Sequence, residues 1–228
     1  MPSLDPRCVV PDAHTVHTLQ VARTARVATL GTPVEADSWW VVLHGYGQLA
    51  ADFIEDFETI VTPNRCVVAP EGLSRFYVDG MDAHEQVGAS WMTREAREAE
   101  IDDYVRALDA TIRHLSGDDP PSSLCVLGFS QGAATASRWA LLGDTVVDRL
   151  VLWGGAPAHD LDLAPHAPAL RDLDLTLVLG TEDPYVTDER RDAAQRRLQA
   201  HDIPVTIRTF EGGHRLDEAT LRALAQPP

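Results

Sequence analysis

The sequence predicts an α/β domain with a mostly parallel central sheet flanked by helices, and three observations lead to that prediction. Short apolar, β-branched runs alternate with stretches of helical periodicity along the chain. The runs are apolar throughout, which is typical of strands buried on both faces of a parallel sheet. No internal repeat or long linker interrupts the 228 residues, so we expect a single domain over residues 1–228.

The first half of the chain supplies two strong strand signals, at 39–43 and 66–69. Both are runs of aromatic, β-branched or other small apolar residues, and each ends at a glycine-containing turn or a proline. A short helix is expected between them at 50–61, and residues 16–30 are expected to add an antiparallel strand pair at the front edge of the sheet. Residues 71–92, with their scattered glycines, are expected to be irregular.

The second half repeats the alternation. A long amphipathic helix is expected at 94–115, because apolar residues recur there at helical spacing. The expected strands that follow are 124–127, 150–153, 175–179 and 205–210. The expected helices between and after them are 131–142, 187–200 and 215–225. Ligands of such sheets bind outside the carboxyl ends of the strands, so the residues after each strand are the candidates for chemistry.

The charge balance excludes some classes of partner. The chain has 35 acidic and 19 basic residues, a formal net charge of −16, and no lysine. Such a surface repels nucleic-acid phosphates and anionic lipid, so we expect neither a nucleic-acid nor a membrane partner. The acidity fits either an ordinary acidic protein from a GC-rich genome or adaptation to high salt, and both interpretations stay open.

Three widely spaced cysteines, Cys8, Cys66 and Cys125, form neither a disulfide framework nor a zinc motif. Cys66 and Cys125 lie in apolar runs and are expected to be buried. Its first residues have no apolar core typical of a secretory leader, and no stretch is apolar enough to span a membrane, so we expect neither feature. A cytoplasmic location is the simplest expectation.

The strongest chemical signal is a G-x-S-x-G motif at 128–132, between a predicted strand and a predicted helix. That context is the one a nucleophile elbow requires: a sharp turn that exposes Ser130 and aims the Gln131 amide at a bound carbonyl oxygen. The alternative is an ordinary tight strand–helix turn. A serine nucleophile also needs a base and a carboxylate that orients the base.

Chain order in such folds places the acid and then the base after the serine. His214 follows the last predicted strand and is the preferred base over His159, His166 and His201. Asp183 follows the strand at 175–179, and Pro184 stiffens its turn; the adjacent Glu182 is its main competitor.

A second oxyanion donor is expected from the loop after the first strong strand, and the Tyr46 amide is the candidate, paired with the Gln131 amide. His44 in the same loop is expected to brace it rather than to bind a metal. His14 and His17 form an H-x-x-H pair without a third ligand, so no metal site is expected there.

An ordered set of short motifs runs from the first strong strand to the predicted base. The motifs are LHGYG at 43–47, APEG at 69–72, SW at 90–91, GFSQG at 128–132, GTEDP at 180–184 and GGH at 212–214. This set resembles the phospholipase/carboxylesterase family of α/β-hydrolases, which is related to acyl-protein thioesterases. The resemblance implies an α/β-hydrolase fold, a Ser130–Asp183–His214 triad, and an oxyanion hole made by the Tyr46 and Gln131 amides.

The resulting hypothesis is a serine hydrolase that cleaves carboxylic esters or thioesters through an acyl-enzyme, with no metal or organic cofactor. A serine peptidase or acyltransferase on the same fold, and a catalytically silent binding protein, are the alternatives. The connection from 154 to 171 is too short for a large lid domain, which favours small soluble esters. A homodimer is an expectation from fold analogy alone.

The segment at 71–92 is the candidate lining of the acyl pocket. Its expected substrate-binding residues are Leu73, Phe76, Trp91 and Met92. Packing against the core is the alternative for each of them. Arg75 and Arg94 are candidates to contact an anionic group of the substrate; a solvated surface position, or pairing with an acidic neighbour such as Glu71, is the alternative.

Overall fold

A seven-stranded sheet runs through the centre of the protein, in a computed structural model that describes residues 15–79, 83–117 and 119–226. Its strand order is β1-β3-β2-β6-β7-β8-β9. β1 is antiparallel to β3, and the other neighbours are parallel. The strands of this sheet are β1 Val27–Leu30, β2 Ser38–Leu43, β3 Arg65–Pro70, β6 Ser123–Phe129, β7 Arg149–Trp153, β8 Asp174–Gly180 and β9 Thr206–Phe210. A separate two-stranded hairpin is formed by β4 Ser74–Tyr77 and β5 Val87–Ser90.

Six α-helices of the described residues flank the sheet. They are α1 Ala50–Phe53, α2 Arg97–Ser116, α3 Gln131–Leu142, α4 Ala167–Asp172, α5 Asp188–Gln199 and α6 Glu218–Leu224. Two short 3₁₀ helices, Pro33–Glu35 and Ile54–Ile60, complete the regular structure. The protein therefore has the α/β architecture that the sequence predicts, with a mostly parallel sheet between helices.

Each face of the sheet carries its own apolar core. On β2, Trp39 and Val41 face one core while Trp40 and Val42 face the other, because successive strand side chains point to opposite faces. The first core includes helices α2, α3, α4 and α5, and the second includes α1 and α6. This two-sided burial is why the central strands β2, β3, β6, β7 and β8 are largely apolar on both faces, whereas the edge strand β9 is mostly exposed.

Two sequence predictions about the edges of the fold are wrong. Only Val27–Leu30 of the expected strand pair at 16–30 is a strand, and it pairs with β3. The apolar side chains before it, Val16, Leu19 and Val21, are exposed, so no buried face exists for a second strand. Residues 71–92 are not wholly irregular, since they hold the β4–β5 hairpin. Its strands have four residues each, too few for a clear alternation.

The thiols of Cys66 and Cys125 are buried and free, as predicted. Burial raises the pKa of the Cys66 thiol to about 11 and that of the Cys125 thiol to about 12. Cys8 and His14 lie outside the described residues. None of the helices in the described ranges is both long and apolar enough to cross a lipid bilayer.

Candidate active site

The turn between β6 and α3 holds Ser130 in an unusual backbone conformation. Its φ is 56° and its ψ is −114°, a region that residues with a Cβ rarely adopt. A side chain at Gly128 would collide with the Gly132 carbonyl, and one at Gly132 would collide with the Leu43 carbonyl. Both glycines are therefore required for this sharp turn, which lifts the Ser130 side chain to the carboxyl edge of the sheet.

A chain of hydrogen bonds joins Ser130 to His214 and Asp183. The Ser130 Oγ lies 2.8 Å from His214 Nε2, and His214 Nδ1 lies 2.7 Å from Asp183 Oδ2. A carboxylate only accepts, so Nδ1 carries the proton and Nε2 accepts from the serine hydroxyl. The Tyr185 amide donates to Asp183 Oδ1 at 2.8 Å and fixes the carboxylate from its other side. In this tautomer the imidazole can take a proton from Ser130.

The structure separates the competing acids and bases by burial and position. Asp183 is buried, whereas Glu182 is exposed. Among the histidines that follow Ser130 in the described chain, His214 is the one hydrogen-bonded to the serine, and the others form no such contact. The structure therefore brings Ser130, His214 and Asp183 together and leaves Glu182 outside this hydrogen-bonded chain.

The imidazole of His214 is held by packing on several sides. The Phe129 ring lies 4.8 Å away, and the Tyr185 ring meets it edge-on at 4.8 Å, centroid to centroid. Gly154 lies behind the ring with a φ of +59°, and an added Cβ there would sit 3.0 Å from His214 Cε1. These contacts fix the ring without burying it fully, since its side chain is 18% exposed.

The loop after β2 is held so that one amide stays free. The Gly45 amide donates to Gln48 Oε1 at 2.8 Å, and the Gly47 amide donates to the Ala89 carbonyl at 2.9 Å. The Tyr46 amide between them, like the Gln131 amide at the first turn of α3, has no acceptor among the described residues. Two unused donors therefore flank the Ser130 turn.

His44 braces this loop, as expected from the sequence. Its Nε2 accepts from the Gly72 amide at 2.9 Å, and its Nδ1 lies 2.7 Å from the Gly45 carbonyl. Burial lowers the pKa of His44, which keeps the ring neutral, as acceptance at Nε2 requires. The Trp91 indole stacks on it and donates to the His44 carbonyl at 2.8 Å.

The side chain of Gln131 has a structural task that the sequence did not indicate. Its Nε2 donates to the Met92 carbonyl at 2.9 Å, and its Oε1 accepts from the Trp91 amide at 3.2 Å. The side chain thus ties the start of α3 to the segment after the β4–β5 hairpin. In the sequence, the sign of this role is the glutamine itself, which lies between Ser130 and Gly132.

A cavity of about 560 Å³ opens at Ser130. Its lining residues come mainly from the Ser130 turn, the end of β7, the inner part of β8 and the start of α5. They are Tyr46, Ser130, Gly154, Gly155, Ala156, Leu177, Leu179, Tyr185, Val186, Arg190, Arg191, Ala194 and His214.

The four residues expected to bind substrate lie elsewhere. Leu73 and Trp91 line a second cavity, between the segment before β1 and helix α2. Phe76 packs on the Tyr46 ring, 5.0 Å between centroids, and the Met92 sulfur accepts a hydrogen bond from Arg138 at 3.6 Å. None of the four is among the residues lining the cavity at Ser130.

The alternatives expected for Arg75 are also decided by packing. Arg75 pairs with the buried Glu71 at 3.0 Å, which is the acidic-neighbour interpretation. Trp153 is fully buried, and its indole donates to the Arg215 carbonyl at 2.9 Å. The described residues hold no cluster of three or more His, Cys, Asp or Glu arranged to bind a metal ion.

Comparison with known proteins identifies the family. The profile of the phospholipase/carboxylesterase family matches residues 32–226. Three solved structures share the fold at low sequence identity. They are acyl-protein thioesterase 2 of Zea mays (18% identity, TM-score 0.67, 89% of this chain and 96% of that chain), a Bacillus cereus carboxylesterase (15%, 0.64, 88% and 92%) and esterase PE8 (21%, 0.64, 89% and 97%). A search of curated proteins found no match. Family profile and fold agree, and the chain belongs to the phospholipase/carboxylesterase family of α/β-hydrolases.

Proposed function

We propose that this protein hydrolyses carboxylic esters or thioesters of small soluble substrates through a covalent acyl-serine intermediate. The observation that carries the proposal is the continuous hydrogen-bonded chain from Ser130 through His214 to the buried Asp183. Such a chain activates a serine hydroxyl, which by itself is a poor nucleophile at neutral pH.

In the first half-reaction, Ser130 Oγ attacks the substrate carbonyl carbon and His214 Nε2 takes the hydroxyl proton. Asp183 stabilises the imidazolium that forms and keeps its orientation. The negative charge on the carbonyl oxygen is met by the free Tyr46 and Gln131 amides, the second at the positive end of α3. Collapse of the tetrahedral intermediate breaks the bond to the alcohol or thiol, which leaves with the proton from His214.

In the second half-reaction, water attacks the acyl carbon while His214 Nε2 takes a proton from that water. The tetrahedral intermediate forms in the same oxyanion site. Its collapse returns the proton to Ser130 Oγ and releases the carboxylic acid. No step requires a group beyond the side chains and amides already described.

The size of the substrate follows from the surroundings of Ser130. The connection from β7 to β8 holds one short helix, Ala167–Asp172, and no lid domain. The cavity of about 560 Å³ accommodates a small ligand, with the apolar walls of Leu177, Leu179 and Val186 beside the nucleophile. A short or medium acyl chain fits these dimensions better than a long lipid chain.

The test is a hydrolysis profile over 4-nitrophenyl esters from acetate to palmitate, with the wild-type protein and Ser130→Ala side by side. We expect activity that peaks on short to medium chains and is lost in Ser130→Ala, while circular dichroism shows both proteins folded. A matched acyl-thioester series separates ester from thioester preference. A folded wild-type protein that hydrolyses no ester or thioester would overturn the proposal.

A further inference from the structure

Two arginines, Arg190 and Arg191, line the cavity that contains Ser130 and His214. In the described part of the chain, no aspartate or glutamate lines the same cavity. Apart from His214, any preference of this cavity for substrate charge therefore depends on these two guanidinium groups.

The two guanidinium groups differ in how they are compensated. Arg191 forms ion pairs with Asp188 at 2.9 Å and with Asp192 at 3.2 Å. Arg190 has no carboxylate within 4.0 Å among the described residues, although Asp188 and Glu189 lie in the same first turn of α5. Of the two, Arg190 is the one whose charge no carboxylate of the described residues compensates.

One hydrogen bond fixes the Arg190 side chain at the cavity. Its Nη1 donates to the Tyr185 carbonyl at 2.8 Å, and Tyr185 in turn touches His214. A guanidinium has five N–H donors, so most of them remain for a ligand. The planar fork of an arginine matches a carboxylate in a two-point contact.

The net charge of the whole protein also affects which substrates reach the cavity. With a net charge of −16, its general field repels anionic substrates. That field is screened beyond a Debye length of about 8 Å at physiological salt, so a local unpaired cation decides what the cavity accepts. Arg190 lines the same cavity as Ser130 and has no ion-pair partner in the described part of the chain, so its guanidinium favours an anionic group there.

We propose that the preferred substrate is an ester that carries a carboxylate group, which Arg190 binds while the scissile carbonyl lies at Ser130. This inference rests on the proposed function and specifies its substrate class. The apolar walls formed by Leu177, Leu179 and Val186 contact the carbon chain between the two groups. The carboxylate is bound only, and the bonds that form and break are those of ester hydrolysis.

The experiment measures kcat/KM for two matched ester pairs. Mono-4-nitrophenyl adipate against 4-nitrophenyl hexanoate places the charge on the acyl side. 4-Carboxyphenyl hexanoate against 4-carbamoylphenyl hexanoate places it on the alcohol side. Arg190→Gln removes the proposed contact, and Arg196→Gln is the control, because it removes the same charge from an exposed position of α5 that does not line the cavity.

We expect the wild-type protein to prefer the carboxylate ester by about tenfold in at least one pair, a size typical of a partly exposed charged hydrogen bond. Arg190→Gln should lower kcat/KM about tenfold more for the carboxylate ester than for its neutral partner and so abolish the preference, while Arg196→Gln keeps it. High salt should weaken it. The pair that shows the preference identifies the side of the ester on which the carboxylate is bound.

Three outcomes would overturn the inference. They are the absence of a preference in both pairs, a preference that survives in Arg190→Gln, and an equal loss on charged and neutral esters, which would make Arg190 a support for the Tyr185 loop alone. In each of these outcomes the neutral esters are still hydrolysed by the wild type, so the proposed function stands. If the wild type cleaves none of the four esters, both proposals fail.

Discussion

The Nδ1 atom of His214 lies 2.7 Å from Oδ2 of Asp183, and the Asp183 side chain is 1% exposed. This pair fixes the tautomer that lets Nε2 accept from Ser130. Asp183→Asn should lower kcat about 10⁴-fold, because the amide can donate to Nδ1 and so favours the wrong tautomer. Steady-state ester hydrolysis measures the effect, and Glu182→Gln, an exposed neighbour of the same charge, is the control. Near-normal turnover in Asp183→Asn with loss in Glu182→Gln would assign the acid to Glu182.

Little room for a side chain exists between Gly154 and the His214 ring. We expect Gly154→Ala to lower kcat about 10²-fold, because the new Cβ lies 3.0 Å from His214 Cε1 and displaces the ring from its position between Ser130 and Asp183. Gly117→Ala is the matched control: it has a similar φ of +58°, but its Cβ meets nothing within 4 Å. Equal losses of activity in the two variants would mean that backbone strain, not contact with His214, is responsible.

The Gln131 side chain should matter for stability as well as for rate. Gln131→Ala leaves the Trp91 amide without an acceptor and removes one of the two hydrogen bonds to the Met92 carbonyl, the other coming from Ser90 Oγ, so the free energy of unfolding should fall by about 1–3 kcal/mol. Urea denaturation measures that change, and kcat should fall because the start of α3 is no longer tied down. Gln199→Ala, an exposed glutamine at the end of α5, should change neither. Unchanged stability in Gln131→Ala would contradict the structural role.

The ion pairs of Asp160 with Arg138 and Arg97 should make part of the protein's stability depend on pH. Arg138 is 4% exposed and pairs with Asp160 at 2.6 Å, and Arg97 pairs with the same carboxylate at 2.7 Å. Burial alone would raise the pKa of Asp160, but the hydrogen bonds from Arg138 and Arg97 outweigh it and hold the pKa well below its ordinary value of 3.8. Asp160→Asn should therefore destabilise the protein at neutral pH by about 2 kcal/mol, since Asp160 is itself partly exposed.

The sign of the pH dependence follows from the depressed pKa of Asp160. The stabilisation is complete above the ordinary pKa of 3.8 and is lost as the pH falls toward the folded-state value. Thermal unfolding should therefore show a constant difference in Tm between the wild type and Asp160→Asn from pH 6 to 8, and a shrinking difference below about pH 4. Asp103→Asn, which breaks an exposed pair with Arg106, is the control with little expected change. A difference that grows in acid would contradict this account.

The position of the candidate site was predictable from the chain, because its residues follow the ends of strands. Ser130, Asp183 and His214 each follow a strand of the sheet, and parallel strands bring their carboxyl ends to one edge. The steric need for glycine at 128 and 132 was visible in the motif itself. Burial then separates Asp183 from Glu182, which lie next to each other in sequence.

The walls of the cavity could not be predicted in the same way. The sequence predicts Trp91 in the acyl pocket, but its indole donates to the His44 carbonyl and packs against the His44 imidazole. The sequence gives no periodic signal for the place of Arg190, because that place depends on how α5 leaves the Asp183 turn. The β4–β5 hairpin is not predicted either, because a glycine weakens the strand signal of β5. Gly88 is needed there because a side chain would collide with the Gly47 carbonyl.

The measurement that tests the central claim most directly is reaction of the folded protein with a fluorophosphonate probe, followed by peptide mapping with mass spectrometry. The account predicts a single adduct on Ser130 in the wild type, and strongly reduced labelling in His214→Ala, because the serine then lacks its base. The absence of an adduct on the folded wild-type protein, or an adduct at a residue other than Ser130, would contradict the claim that Ser130 is an activated nucleophile.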